Sequence, residues 1–279
     1  MFVAAVSPFA FQATDEGAAI GDGPGVGVAT LAFSVNGSTT FVANSTSGAS
    51  LAYTLLLDDT LEGWVSISYG AEDRAGNLEA LHSTTVVIDR SAPATLVLRS
   101  TPAFGAFVST GTVFSFVAVD RGSVPAGIQA TLYAVDDVSL APAPPGFSLA
   151  PPERPATIHF GSVDRVGNQE VLASTAVVLD ATPPETSAAV EGPQATQAGV
   201  LWLSAHSTLT LMAQDPDSGS GASGVGATLL SVDGSTPSAV GNLAMAGLAE
   251  GPHPLAFFSV DRVDNAEGRK ERTIGLDAS

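Results

Sequence analysis

The chain has 279 residues, 28 acidic against 10 basic side chains, a formal charge of −18 and no cysteine. The carboxylate excess excludes nucleic acid, whose phosphates need clustered Lys and Arg, and disfavours anionic membranes; without Cys there are no disulfides, zinc–thiolate centres or thiol catalysis. A hydrophobic share of 45% punctuated by 29 Gly and 18 Pro is the profile of short strands and many turns, in a chain long enough for two or three cores.

No run approaches the ~18 apolar residues of a membrane span. The opening MFVAAVSPFAF has no basic segment and is interrupted by Ser7 and Pro8, so it is a poor signal peptide.

In chain order, FAFQATD (9–15), LAFSVNG (31–37), ISYGAEDRAGN (67–77) and STTVVID (83–89) are the first strand-like blocks. Phe9, Phe11 and Ala13 alternate with smaller or polar residues, the period of two that marks a half-buried strand. The same blocks return in the same order. FSFVAVD (114–120), TLYAVDD (131–137), FGSVDRVGN (160–168) and STAVVLD (174–180) come next, then LTLMAQD (209–215), TLLSVDG (228–234), FFSVDRVDN (257–265) and RTIGLD (272–277). Asp73, Asp164 and Asp261 lie 91 and then 97 residues apart, and so do Asp89, Asp180 and Asp277. Such self-similarity predicts three tandem units at 1–91, 92–182 and 183–279. Each has several short strands and no helical periodicity, which predicts an all-β chain of β-sandwiches.

The joints DRSAPAT (89–95) and DATPPET (180–186) are Pro-rich, so they are predicted to be short and semi-rigid. Units two and three carry a leading segment before their FSF or LTL strand, whereas unit one has only MFVAAVS. Unit one is therefore expected to lack most or all of its first strand, to begin inside a domain, and to leave a sheet edge needing a partner. It is also longer inside, in EGAAIGDGPGVGVA and STTFVANSTSGASLAYTLLLDDT, and these insertions are expected in loops.

Taken together, EGWVSISYGAEDRAGNLEA, ERPATIHFGSVDRVGNQEV and EGPHPLAFFSVDRVDNAEG resemble the immunoglobulin-like or fibronectin-III-like repeats of large bacterial-type surface proteins. Asp264, where the other copies have Gly76 and Gly167, departs from that pattern. The resemblance implies three exported immunoglobulin-like sandwiches, displayed in arrays at the cell surface or outside the cell. Their partners would be neighbouring repeats or chains, and glycans. A fold analogy of this kind assigns no activity.

Two roles are open for the repeated Asp. As a turn, Asp73, Asp164 or Asp261 accepts backbone N–H groups a few residues on. Gly76 and Gly167 supply a positive φ, Asp264 tolerates it, and Asn77, Asn168 and Asn265 close the hairpin. As metal ligands, Asp89, Asp180, Asp215 and Asp217, together with Asp15, Glu16 and Asp22, lie in loops or joints that could converge on calcium, the one cofactor the residues suggest. DPDSGSG (215–221) is the best local candidate, although it lacks the Glu that completes an EF-hand loop.

Catalysis finds no support: His82, His159, His206 and His253 occupy unrelated positions, and no hydrolase or phosphate-loop pattern occurs. Asn36 and Asn44 head glycosylation sequons. The reading is a non-enzymatic structural or adhesive segment. Its rival is a carbohydrate-binding accessory module of a secreted enzyme, for which Trp64 and Trp202 would be the stacking platforms, although each is expected to be partly packed in a core or joint.

Overall fold

The computed structural model describes residues 1–4, 7–15, 25–37, 39–44, 48–217 and 219–278. Apart from a single turn of 3₁₀ helix at Met245–Gly247, every regular element among them is a β-strand. The chain is all-β. Two compact units account for it: Met1–Leu96 with Val117–Leu132 and Phe160–Leu172, and Val97–Phe116 with Tyr133–His159 and Ala173–Ser279. Compactness thus groups residues differently from repetition, because the middle repeat contributes to both units.

In the first unit a five-stranded sheet has the spatial order Phe2–Ala4, His82–Asp89, Gly63–Asp73, Val28–Val35, Thr39–Asn44. Val65 and Ile67 point inward while Trp64 points out, as the pleat requires. A second sheet pairs Phe9–Thr14 with Ser50–Leu55. Between the two sheets lie Val3, Val35, Leu55, Val65, Ile67, Val86 and Ile88, with Phe9 and Phe11 packed against them. Part of the surplus sequence of the first repeat does not stay in loops: Thr39–Asn44 pairs along the whole of Thr30–Val35, and Ser50–Leu55 covers one side of Phe9–Thr14. Glu16, Asp22 and most of the first insertion fall outside the described residues.

In the second unit the third repeat forms a sheet of order Gln194–Gln197, Val200–Ser204, Lys270–Asp277, Gly251–Asp261, Val225–Val232, Ser238–Ala239. It faces a three-stranded sheet of order Glu185–Glu191, Thr208–Gln214, Asn242–Ala244. Leu203, Leu209, Leu211, Leu230, Met245, Leu255, Phe257, Ile274 and Leu276 fill the space between them.

The opening segment of this repeat serves both sheets. Glu185–Glu191 runs antiparallel to Thr208–Gln214, and Val200–Ser204 then runs parallel to the closing strand. A first strand that switches sheets over a two-layer core is immunoglobulin-like topology. In the first repeat only the second half is present among the described residues: Phe2–Ala4 runs parallel to Val87–Asp89, as Phe107–Val108 does to Val178–Leu179.

His253 sits in the long Gly251–Asp261 strand and is buried. One ring nitrogen meets the Ala249 carbonyl at 2.7 Å and the other the Asp233 carboxylate at 2.8 Å. Both partners only accept, so the doubly protonated ring fits best, and the Ala249 carbonyl followed by Asp233 raises its pKa above 6.5. With the folded value raised, the stabilisation is complete below pH 6.5 and disappears as pH rises through the folded pKa. We expect the stability gap between wild type and His253→Gln in urea melts to be widest near pH 5.5 and to narrow towards pH 8.5.

Candidate functional site: two buried carboxylate clusters

Each long strand ends at an Asp that nucleates the same turn. Asp73 Oδ1 accepts from the Ala75 and Asn77 amides, both at 2.8 Å, and Asn77 Nδ2 donates to Oδ2 at 2.6 Å. Asp164 does the same with Val166 and Asn168, and Asp261 with Val263 and Asn265, within 0.1 Å of those distances. Gly76, Gly167 and Asp264 occupy the left-handed region at φ +86°, +92° and +66°. Asp is among the few non-glycine residues that go there cheaply, which is how the third copy keeps the turn without glycine.

The turn Asp residues are not isolated. In the first unit Asp164 meets Asp89, which closes the first repeat, and Asp120, which follows the Phe114–Val119 strand; one oxygen from each lies within 4.8 Å of the others. In the second unit Asp261, Asp180 and Asp215 meet in the same way. Residues assigned separately to turns and to joints are thus one constellation, repeated. Asp217 is in neither group: it is exposed, and its Oδ1 caps its own loop through the Gly219 and Gly221 amides.

Backbone N–H groups partly offset the charge. In the first unit Asp89 accepts from Ser91 and Ala126, Asp120 from Arg121 and Gly127, and Asp164 from Val166 and Asn168. In the second, among the described residues, Asp180 accepts from Thr182 and Ser223, Asp261 from Val263 and Asn265, but Asp215 only from Gly224. The cause is in the sequence: Arg121 donates to Asp120 Oδ1, whereas the corresponding Pro216 has no N–H to give. Among the described residues Asp215 Oδ1 is therefore buried without a partner, and so is the hydroxyl of neighbouring Ser223. Burial raises the Asp215 pKa against the pull of the Gly224 amide, and Asp180 and Asp261 raise it further. Burial likewise lifts Asp261 above its usual range, although Asn265 and Val263 pull the other way. Asp73 is the contrast. More open to water, it is held below its usual value, chiefly by the Asn77 side chain.

Sequence reasoning missed two parts of the constellation. Asp120 aligns with Asp15 and Asp215, but along the sequence it is marked only as the end of a strand block. Gly27, Gly127 and Gly224, at φ +90°, +91° and +87°, accept the amides of Arg74, Arg165 and Arg262 and seat those arginine side chains. They are 12, 7 and 9 residues beyond their Asp, so alignment by fixed spacing does not expose them.

The remaining candidates stay apart from the clusters. Asn36 is exposed and its Oδ1 accepts from the Ser66 amide at 2.9 Å; Asn44 is exposed at a strand end. The last residue of each sequon, Ser38 or Thr46, lies outside the described residues. Trp64 is 67% exposed, contrary to a packed position, because the strand's alternation turns it outward. Trp202 lies against Gly275, where a Cβ would come within 2.5 Å of the ring.

No family model matches the chain, and no curated protein matches it. Among solved structures it is similar to a 1.5-MDa bacterial ice-binding adhesin (13% identity, TM-score 0.41, covering 100% of this chain and 94% of that one). Two others are the fibronectin(III)-like modules of Clostridium thermocellum CbhA (16%, 0.37, 66% and 95%) and a tetra-tandem repeat from the extending region of a large adhesion protein (17%, 0.27, 99% and 74%). At these scores the likeness carries no argument about role, and the strand order above stands without it.

Asp164→Ala would strip the acceptor from two half-buried amides and the Asn168 side chain. We expect it to cost about 1–3 kcal/mol, measured by urea unfolding. The same change at Asp217, an exposed cap, should stay within about 0.5 kcal/mol.

Proposed function

We propose that the chain is a non-enzymatic structural and adhesive segment of an extracellular or cell-surface protein. It would be built from three tandem immunoglobulin-like sandwiches, 1–91, 92–182 and 183–279, in which calcium ties the end of one repeat to the next. The observation that carries this reading is that both carboxylate clusters draw one Asp from a closing strand and two from the following repeat, at matching positions. An oxygen-only donor set suits a hard cation, and the unpartnered Asp215 Oδ1 and Ser223 hydroxyl are the groups such an ion would satisfy. Calcium needs six to eight oxygens, so carbonyls and water would complete the shell. Contacts to neighbouring repeats, other chains or glycans would fall to the exposed surface.

Melting with calcium and with chelator at matched ionic strength tests this. A ligand at one hundred times its Kd adds about 2.7 kcal/mol, so the calcium midpoint should be clearly higher; equal midpoints would remove calcium from the proposal. Asp215→Asn should change sign with the medium. In chelator it relieves a buried, crowded carboxylate and raises the midpoint; in calcium it removes a ligand and lowers it.

The pH dependence follows from the raised values of Asp215 and Asp261. Their favourable contribution is complete below 3.8 and is lost as pH rises through the raised folded pKa. In chelator, wild type should therefore gain on Asp215→Asn as the pH falls from neutral towards 4. In calcium the gap should close on the same descent, because protons displace the ion.

Trp64 keeps the carbohydrate-binding reading in view, since Phe2 and Trp64 flank Val87 on adjacent strands and both are exposed. Titration of Trp64 fluorescence with soluble polysaccharides separates the two readings: a saturable change abolished by Trp64→Ala supports the glycan-binding module.

A further inference from the structure

The first repeat holds one half of a site whose other half the chain supplies twice elsewhere. In the third repeat the Glu185–Glu191 strand lies along Thr208–Gln214, with Thr186 opposite Ala213 and Val190 opposite Leu209. Its Thr186 amide donates to Glu267 at 3.1 Å. Six residues upstream, Asp180 enters the carboxylate cluster, and the Asp180 carbonyl accepts Asn265 Nδ2 at 3.0 Å. The same set recurs at the start of the middle repeat. The Thr95 amide donates to Glu170 at 2.8 Å, Asp89 joins the cluster, and its carbonyl accepts Asn168 Nδ2 at 3.0 Å.

Every receiving group has its counterpart in the first repeat, and each lacks this partner among the described residues. Phe9–Thr14 corresponds to Thr208–Gln214 but is paired only on its Ser50–Leu55 side. Glu79 corresponds to Glu267; it takes the Ala71 amide, as Glu267 takes that of Ser259, and its other oxygen meets His82 at the surface. Asn77 Nδ2 reaches Asp73 but no upstream carbonyl. The Val26 amide stands where Ala126 and Ser223 donate to Asp89 and Asp180. Asp15 and Asp73 stand where the clusters have their second and third carboxylates. A groove of about 610 Å³ runs along this edge, lined by Phe11, Thr14, Leu31, Tyr69, Glu79 and His82. The Phe9–Thr14 strand beside it is less covered than its counterparts: Phe9 is half-buried, whereas Phe114 and Leu209 at the same position are closed off from water.

We infer that the first repeat is an acceptor for an incoming β-strand of the joint type. That strand has Asp, a Pro four residues later and an alternating apolar segment, and it docks antiparallel on Phe9–Thr14. Backbone ladder bonds supply the affinity and the receiving groups set the register. The residue six beyond the Asp sits opposite Ala13 and presents its amide to Glu79. One substitution tunes the preference. Thr95 and Thr186 meet the hydroxyls of Ser162 and Ser259, with Thr131 and Thr228 beyond. In the first repeat Ala71 and Leu31 stand at those places. The acceptor is therefore more apolar there, and Val suits that position at least as well as Thr.

The inference rests on the tandem-sandwich reading but not on calcium, so it is tested in chelator and again in calcium. The probe is a peptide of the sequence Asp180–Glu191 added to the intact chain. We expect saturable binding, slower hydrogen exchange at the Phe9–Thr14 amides, undiminished binding when Val replaces Thr186 of the peptide, and at least a tenfold loss with a scrambled peptide. Glu79→Ala should weaken binding at least tenfold, and the exchange map reads the site even if that variant loses stability. Failure to bind in both media, equal binding of the scrambled peptide, or protection confined to Thr208–Gln214 through displacement of the resident strand would overturn it. Binding in chelator with no effect of calcium would leave this inference standing while counting against the calcium reading.

Discussion

Three carboxylates gathered so closely are the constraint on which the rest depends. At an effective dielectric near 20, two unit charges about 5 Å apart repel by roughly 3–4 kcal/mol, and each cluster contains three such pairs. The fold meets that repulsion with directed backbone amides, which demands turns of one particular geometry at the end of every long strand. The D-R-x-G-N segment is therefore a way of aiming N–H groups at a carboxylate as well as a way of reversing the chain. Its glycine, or Asp264 in its place, is there because the amide that follows must point inward.

The two clusters are instructive because they differ. The first has a donor from Arg121 where the second has Pro216, and that exchange leaves Asp215 Oδ1 unpartnered. An orphaned buried oxygen is costly unless something else supplies the missing charge. In the first repeat Asp73 is more open to water than Asp164 and Asp261 at the same position of the turn. Its carboxyl is held below the usual range, chiefly by the Asn77 side chain and then by the Asn77 amide.

This arrangement makes adjacency between repeats specific. Glu170 and Glu267 each fasten the first strand of their own repeat, while Asn168 and Asn265 fasten the carbonyl that ends the previous one. Buried Pro93 and Pro184 stand between these two fastenings. A proline there spares the joint a backbone donor that would otherwise need a partner, and it limits the conformations lost on folding. Strand, joint and cluster therefore form as one assembly, and the open edge of Phe9–Thr14 is what that assembly looks like with one component withdrawn.

The sequence by itself determined what depends on neighbours along the chain. Alternation in Phe9–Ala13, Phe114–Ala118 and Leu209–Ala213 placed strands with one apolar face, and the recurrence of the D-R segments placed a hairpin with Asp at its head. Only the tertiary structure decided that Asp89 and Asp120 share a space with Asp164, that Trp64 faces water, and that Gly27, Gly127 and Gly224 seat the arginines. The reason is geometric. Periodicity records which way a side chain points from its own strand, whereas the meeting of residues 31 to 75 positions apart depends on sheet register and on loops of unequal length, which no fixed spacing encodes.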